Sequence, residues 1–304
     1  MKRPGPMWRA ATSKGHAMAV ALIGSLALAT VILPASAADE GGEEHAIERQ
    51  DWTFGGFTGQ YDKAQLQRGF QVYQQVCTAC HGLKRVRFRN LAEPGGPEFP
   101  EASVKALAAA WPYQISGELD DQGNPIDRLP GLADAIVGPY KNDVQARAAQ
   151  NGALPPDLSL IAKARAVESH APWYSQWLYM LRDIVIGYQE GGADYLYALL
   201  TGYHEPPAGM QMTEGMSFNA AFPGHQLAMP PPLSKDAFVE YQPESGYKGS
   251  LEQNAHDVTA FLAWAADPNL NSRKQLDWQV LLYLLITTVL LYLVKKQIWS
   301  RVKH

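Results

Sequence analysis

Cysteine is scarce in this chain: Cys77 and Cys80 are the only two in 304 residues. That scarcity removes the second cysteine pair on which a structural zinc site usually draws. No βαβ pattern surrounds the pair, so the usual setting of a thioredoxin-type redox dithiol is missing as well. Internal repeats and low-complexity runs are absent. Positive charge is also in short supply over residues 39–272, where 16 Lys and Arg face 29 Asp and Glu for a formal charge of −13. The basic ends dilute this to −4 for the whole chain. Such a stretch repels phosphate backbones, which argues against nucleic acid as a partner. A basic protein partner suits it better, because complementary fields raise encounter rates.

What the two cysteines do have is a neighbour. Val76-Cys77-Thr78-Ala79-Cys80-His81 is the C-x-x-C-H signature of covalent c-type haem attachment. Each thiol can form a thioether to one haem vinyl group, and the adjacent imidazole then reaches the iron from one face. A thiol–disulfide enzyme would use the same two cysteines but has no need of His81.

The two ends of the chain address it to a membrane. Lys2, Arg3, Arg9 and Lys14 precede the apolar stretch Ala17 to Leu33, and Pro34-Ala35-Ser36-Ala37 supplies an A-x-A cleavage site. Residues 1–38 therefore read as a cleaved secretory signal peptide rather than a retained anchor. Trp278 to Val294 is uncharged and apolar, with Arg273 and Lys274 before it and Lys295, Lys296, Arg301 and Lys303 after. Its length approaches the ~20 residues of a helical span. Residues 273–304 are thus expected to be an anchor with a short basic cytoplasmic tail. Residues 39–272 become the exported domain, and no nucleic acid is expected among its partners.

Within that domain, Asp39 to Glu48 reads as an acidic arm. Asp62 caps a helix whose stripe Leu66, Phe70, Tyr73 leads to Cys77. Lys84, Arg85, Arg87 and Arg89 read as a solvated basic run. Pro and Gly between Glu93 and Tyr140 predict mostly loop, with one short helix near Ser103 to Ala110. A helix over Asn142 to Gln150 closes at Asn151-Gly152, and Pro155-Pro156 then hold an extended wall. Leu158 to Leu200 reads as largely helical, broken at Gly191-Gly192. It carries the aromatic group Trp173, Tyr174, Trp177 and Tyr179, expected in core or interface. Ser250 and Gln253 start a last helix with the stripe Val258, Phe261, Leu262, Ala265, which should pack on the cysteine-bearing one.

A haem iron held by His81 needs a sixth ligand. Met180, Met210, Met212, Met216 and Met229, and His170, His204, His225 and His256, are the candidates. Met229 stands apart because Ala228-Met229-Pro230-Pro231-Pro232 puts a thioether on a stiff, irregular loop; His225 is its rival. His/Met ligation raises the reduction potential and leaves no open site, which describes an electron carrier.

The ordered set of motifs resembles the cytochrome c1 family, the haem subunit of the cytochrome bc1 complex. The resemblance is carried by Val72-Tyr73 through His81, Asn151-Gly152-Ala153-Leu154-Pro155-Pro156-Asp157-Leu158-Ser159, Leu200-Thr201-Gly202-Tyr203-His204-Glu205-Pro206-Pro207, Phe222-Pro223-Gly224 and Met229-Pro230-Pro231-Pro232. It runs from about Trp52 to Arg301. It implies a mainly α, class I-like cytochrome c fold with long loops and insertions, plus one C-terminal transmembrane helix. It implies one covalent haem c held by Cys77 and Cys80, with His81 and Met229 axial. Arg165 is placed by position at a haem propionate, with Lys163 a near alternative, and Pro156 in the pocket wall. The implied partners are cytochrome b, the Rieske iron–sulfur protein as donor and a soluble cytochrome c as acceptor, in a dimeric complex. The implied location is the bacterial inner membrane with the haem domain on the periplasmic side. Residues 166–190 look like extra sequence relative to shorter members, and the disulfide of some bacterial relatives has no cysteines here. The rival readings are a free-standing anchored c-type cytochrome and a periplasmic thiol–disulfide enzyme.

Overall fold

The computed structural model describes residues 47–167, 172–233, 247 and 249–300; the signal peptide expected over 1–38 lies outside them. Asp62 opens the first helix, α1 (Lys63–Gln75), by accepting the Gln65 backbone N–H at 2.8 Å. That satisfies one of the donors a helix start leaves unpaired. Leu66, Phe70 and Tyr73 are buried at helical spacing, and the chain tightens into a 3₁₀ turn over Cys77–Ala79. Strand β1 (Leu83–Arg87) follows, with Leu83 and Val86 inside and Lys84, Arg85 and Arg87 facing water. The basic run is therefore a solvated strand face.

Helix α2 (Glu101–Ala109) lies where the sequence puts its short helix. The surrounding stretch holds more order than its Pro and Gly content suggests. β2 (Ile115–Leu119) and β3 (Pro125–Arg128) form an antiparallel hairpin, and β4 (Ala135–Ile136) pairs back onto β1. The hairpin closes through Asp120, whose carboxylate accepts the N–H groups of Gln122 at 2.9 Å and Asn124 at 2.8 Å.

Asn142 caps α3 (Asp143–Ala149) through the Gln145 N–H at 2.9 Å. Three helices come next: α4 (Ile161–Ala164), α5 (Gln176–Ile186) and α6 (Gly191–Thr201). The break expected at Gly191-Gly192 falls earlier, at Gly187, which is left-handed at φ 71°. Gly191 and Gly192 instead start α6. A Cβ on Gly192 would lie 1.9 Å from the Ala162 carbonyl, so glycine lets α6 close onto α4. A small pair, β5 (Ser217–Phe218) with β6 (Gln226–Leu227), precedes α7 (Leu251–Ala266) and α8 (Leu270–Trp299).

The core is the crossing of α1 and α7. Val258, Phe261, Leu262 and Ala265 are all buried, and Phe261 meets Phe70 and Tyr73 with ring centroids 5.5 and 5.7 Å away. Gly69 sets the approach, because a Cβ there would be 2.1 Å from the Asp257 carbonyl. Beside it Arg68 donates to the buried Asp257 carboxylate at 2.8 and 3.2 Å. The fold is mainly helical, with only two-stranded sheets among the described residues.

Helix α8 is the one described helix long and apolar enough to cross a membrane. Its first turns are fastened to the domain: Leu270 is buried, and the Asn271 side chain accepts the Tyr61 N–H at 3.0 Å. Arg273 pairs with Asp267 at 2.6 Å, and Lys274 Nζ donates to the carbonyls of Phe54 and Gly56.

Candidate functional site

The end of α1 is shaped to present three side chains from one turn. The backbone N–H groups of Cys80 and His81 both donate to the Cys77 carbonyl, at 3.1 and 2.9 Å. The two thiols form no disulfide. Gln150 Nε2 reaches Cys80 Sγ at 3.5 Å and the Tyr140 hydroxyl at 2.6 Å. Cys77 packs against the core, and burial, with Cys80 adding to it, pushes its thiol up to about 12.

His81 is oriented by the segment that follows α3. Its Nδ1 lies 2.7 Å from the Pro156 carbonyl. A carbonyl can only accept, so Nδ1 carries the proton and Nε2 keeps its lone pair for a metal. Burial lowers the His81 pKa against the opposing pull of the Pro156 carbonyl and the Asp157 carboxylate, which favours the neutral, ligating imidazole.

That orientation belongs to a longer seam. The Leu158 N–H donates to the Gly82 carbonyl at 3.0 Å, the Lys84 N–H to Asp157 Oδ2 at 2.8 Å and the Arg85 N–H to Ser159 Oγ at 3.0 Å. Residues 156–159 thereby zip along 81–85, with the Asp157 and Ser159 side chains accepting the backbone N–H groups of Lys84 and Arg85. The extended wall read from Pro155-Pro156 is present, but its working atom is the Pro156 carbonyl. Asp157 and Ser159, read as part of the motif without a role of their own, hold the seam.

Met229 sits half-buried on the irregular stretch after β6, and the Tyr203 hydroxyl donates to its backbone carbonyl at 3.1 Å. The loop is organised by Asn219, which the sequence reading passes over. Asn219 is fully buried; its Nδ2 donates to the Leu199 carbonyl at 2.7 Å, and its Oδ1 accepts the N–H groups of Ala221 at 3.0 Å and Phe222 at 3.1 Å. Asparagine's habit of bonding nearby backbone was the one available hint. His225 takes a left-handed conformation at φ 59°, with Nδ1 3.2 Å from the Asn219 carbonyl.

The other candidates scatter. His256 is half-buried on α7, stacked on Trp52 at 4.3 Å and bonded to Gln65 at 2.8 Å. Met180 is 62% exposed on α5, His204 is exposed, and His170 lies outside the described residues. Arg165 stands exposed at the C-cap of α4, where its backbone N–H donates to the Ile161 carbonyl at 3.1 Å, and its side chain makes no hydrogen bond or ion pair among the described residues. Lys163 is spent on Asp267 at 3.0 Å, which leaves Arg165 the freer cation.

The donor set fits a covalently attached haem: two unpaired thiols and an imidazole share one turn, with the imidazole's Nδ1 already bonded. A thioether stands on a separately pinned loop. The comparisons point the same way. The family model described as the Cytochrome C1 family matches residues 52–302. Cytochrome c1 of Blastochloris viridis is 44% identical over 93% of this chain and 95% of its own length. Cytochrome c1 of Rhodospirillum rubrum is 40% identical over 89% and 93%. A longer Bradyrhizobium diazoefficiens protein named cytochrome b/c1 is 41% identical over 93% of this chain, which spans 39% of it. The chain belongs to the cytochrome c1 family, the haem subunit of bc1 complexes, whose members carry a covalently attached haem c.

Proposed function

We propose that this chain relays single electrons from a Rieske iron–sulfur subunit to a soluble c-type cytochrome. Its haem c would be bound through Cys77 and Cys80 and ligated by His81 and Met229. The haem, when bound, supplies a one-electron carrier cycling between ferric and ferrous iron. The chain's own residues hold it: Pro156 fixes the imidazole, Tyr203 fixes the Met229 loop, and Arg165 is offered to a propionate. The single observation that carries the reading is the His81 Nδ1 contact with Pro156 at 2.7 Å, on the same turn as both cysteines, because it prepares Nε2 as a metal ligand.

The proposed setting is a dimeric complex in a bacterial inner membrane, with residues 39–272 on the periplasmic side and 273–304 as the anchor. The Bradyrhizobium relative, whose name joins b and c1 in one protein, supports cytochrome b as the neighbour. A free-standing cytochrome remains the rival, and co-purification separates the two. Covalent haem on this band with b-type haem in the same sample supports the complex; covalent haem alone supports the solitary carrier. The thiol–disulfide alternative suits the site poorly, because catalytic thiols need a lowered pKa, whereas burial raises that of Cys77.

Ligation is tested by Met229→Leu. Haem should remain covalently attached, and the midpoint potential should fall as the thioether is lost. An unchanged potential would remove Met229 as the ligand and turn attention to His225.

A further inference from the structure

Residues 172–187 carry a surface that the relay does not use. No residue of α5 is buried. At 100° per residue, Trp177, Leu181, Ile184 and Val185 share one face, and they are 55, 48, 61 and 74% exposed. Trp173, at 84%, flanks them. Leu178, Met180 and Ile186 are exposed as well, so the apolar surface reaches beyond this face, and Arg182 and Asp183 are the charged residues of the helix; it is through Asp183 that α5 is tied to the domain. Arg49 pairs with Asp183 at 3.2 Å and lies 3.8 Å over the Tyr188 ring.

The position of this helix relative to α8 identifies what covers it. A left-handed cap at Gly187 ends α5, with the Gly187 and Tyr188 N–H groups donating to Ile184 at 3.2 Å and Asp183 at 2.9 Å. A Cβ on Gly187 would be 2.9 Å from the Phe57 ring, so the helix end rests on Phe57, itself 62% exposed. The neighbouring Gly56 carbonyl accepts Lys274 Nζ. Lys274 is two residues before Leu276 and one helical turn before Trp278, the first exposed large apolar residues of α8. One support, Gly56-Phe57, therefore carries both the end of α5 and the start of the membrane-spanning stretch. Aliphatic side chains with tryptophans at the edge suit the headgroup boundary of a bilayer.

We propose that α5 is an interfacial helix, lying against the bilayer surface beside α8 with its Trp177–Val185 face in the acyl–headgroup boundary. The proposal rests on α8 spanning a membrane. In that place α5 would be a second contact fixing the haem domain's attitude to the membrane.

The test is site-directed nitroxide labelling of the full, haem-loaded chain in vesicles of equal parts phosphatidylcholine and phosphatidylglycerol. With Cys77 and Cys80 occupied by haem, Val185→Cys supplies the reporter, and Leu181→Cys supplies a second. Val144→Cys, 78% exposed on α3, is the water control, and Leu285→Cys on α8 is the lipid control; haem staining reports that each variant has folded. The ratio of oxygen to nickel-chelate accessibility at 185 and 181 should rise above that at 144 towards that at 285. A ratio equal to that at 144 places α5 in water and overturns the proposal. Labels shielded from both relaxers mean that a protein partner covers the face, which also overturns it. Chelate access at 285 would instead sink the anchor itself.

Discussion

At the scale of single residues, the site depends on acceptors outside the attachment signature. Asp157 accepts the Lys84 N–H at 2.8 Å and the Ser159 N–H at 3.0 Å, holding the strip whose Pro156 carbonyl orients His81. Asp157→Ala leaves the attachment signature intact but frees that strip. We expect covalent haem to persist, stability to fall by about 1–3 kcal/mol from the lost backbone bonds, and the imidazole's ligand strength to change. Thermal unfolding together with a redox titration reads both; a shift in neither would mean that the prolines alone hold the wall. Asp134 makes a second prediction. Hydrogen bonds from Arg128, at 2.6 and 2.8 Å, hold its carboxyl below the usual carboxylate range. A folded pKa below the unfolded value of about 3.9 stabilises the fold above that pH, and the contribution fades as pH falls through the folded value. The stability gap between wild type and Asp134→Asn should thus be level near neutrality and close below about pH 4. A gap independent of pH would assign the effect to packing.

Among the elements, the contact that matters most is α1 against α7, and Gly69 is its hinge point. A methyl group there meets the Asp257 carbonyl at 2.1 Å, and backbone cannot yield as a flexible side chain would. Gly69→Ala should cost about 1–3 kcal/mol and lower the melting temperature by roughly 2–4 °C per kcal/mol for a domain of this size. An unchanged melting curve would show that the helices have room to separate. The helices that frame this crossing were legible in the sequence because each carries both signals a helix needs. Asp62 and Ser250 cap α1 and α7, and Leu66-Phe70-Tyr73 and Val258-Phe261-Leu262 give each a stripe. The cysteine turn and the apolar run of α8 were equally plain. The β2–β3 hairpin was not, since Asp120-Asp121-Gln122-Gly123-Asn124-Pro125 reads as a turn whether or not strands flank it. The early break at Gly187 was hidden because Gly191-Gly192 is the louder signal, and its real reason is the Ala162 carbonyl of a different helix. Asn219 was hidden too: its partners are backbone groups at Leu199, Ala221 and Phe222, and long-range burial leaves no local pattern. The aromatic group at Trp173 to Tyr179 joins no core: Trp173, Tyr174 and Trp177 are exposed.

For the whole molecule, charge and anchoring act together. Residues 39–272 carry −13 and are fastened to α8 by Arg273, Lys274 and Asn271, so with α8 as the proposed anchor they would present a negative field from a fixed place on the membrane. If the proposed acceptor is a basic soluble cytochrome, that field would draw it in, and its encounter rate would depend on how far the field reaches. As ionic strength rises from about 0.01 M to 0.15 M the Debye length shrinks from about 30 Å to about 8 Å. The second-order rate of electron delivery to a basic cytochrome c should then fall by about tenfold or more. Delivery to an acidic cytochrome should rise over the same range, as repulsion is screened. Stopped-flow oxidation of the reduced chain by each partner across that salt series distinguishes steering from simple collision. Opposite slopes support docking by complementary charge. Flat profiles for both would mean that the acidity serves solubility alone, and that acceptors are chosen by apolar contact around the haem.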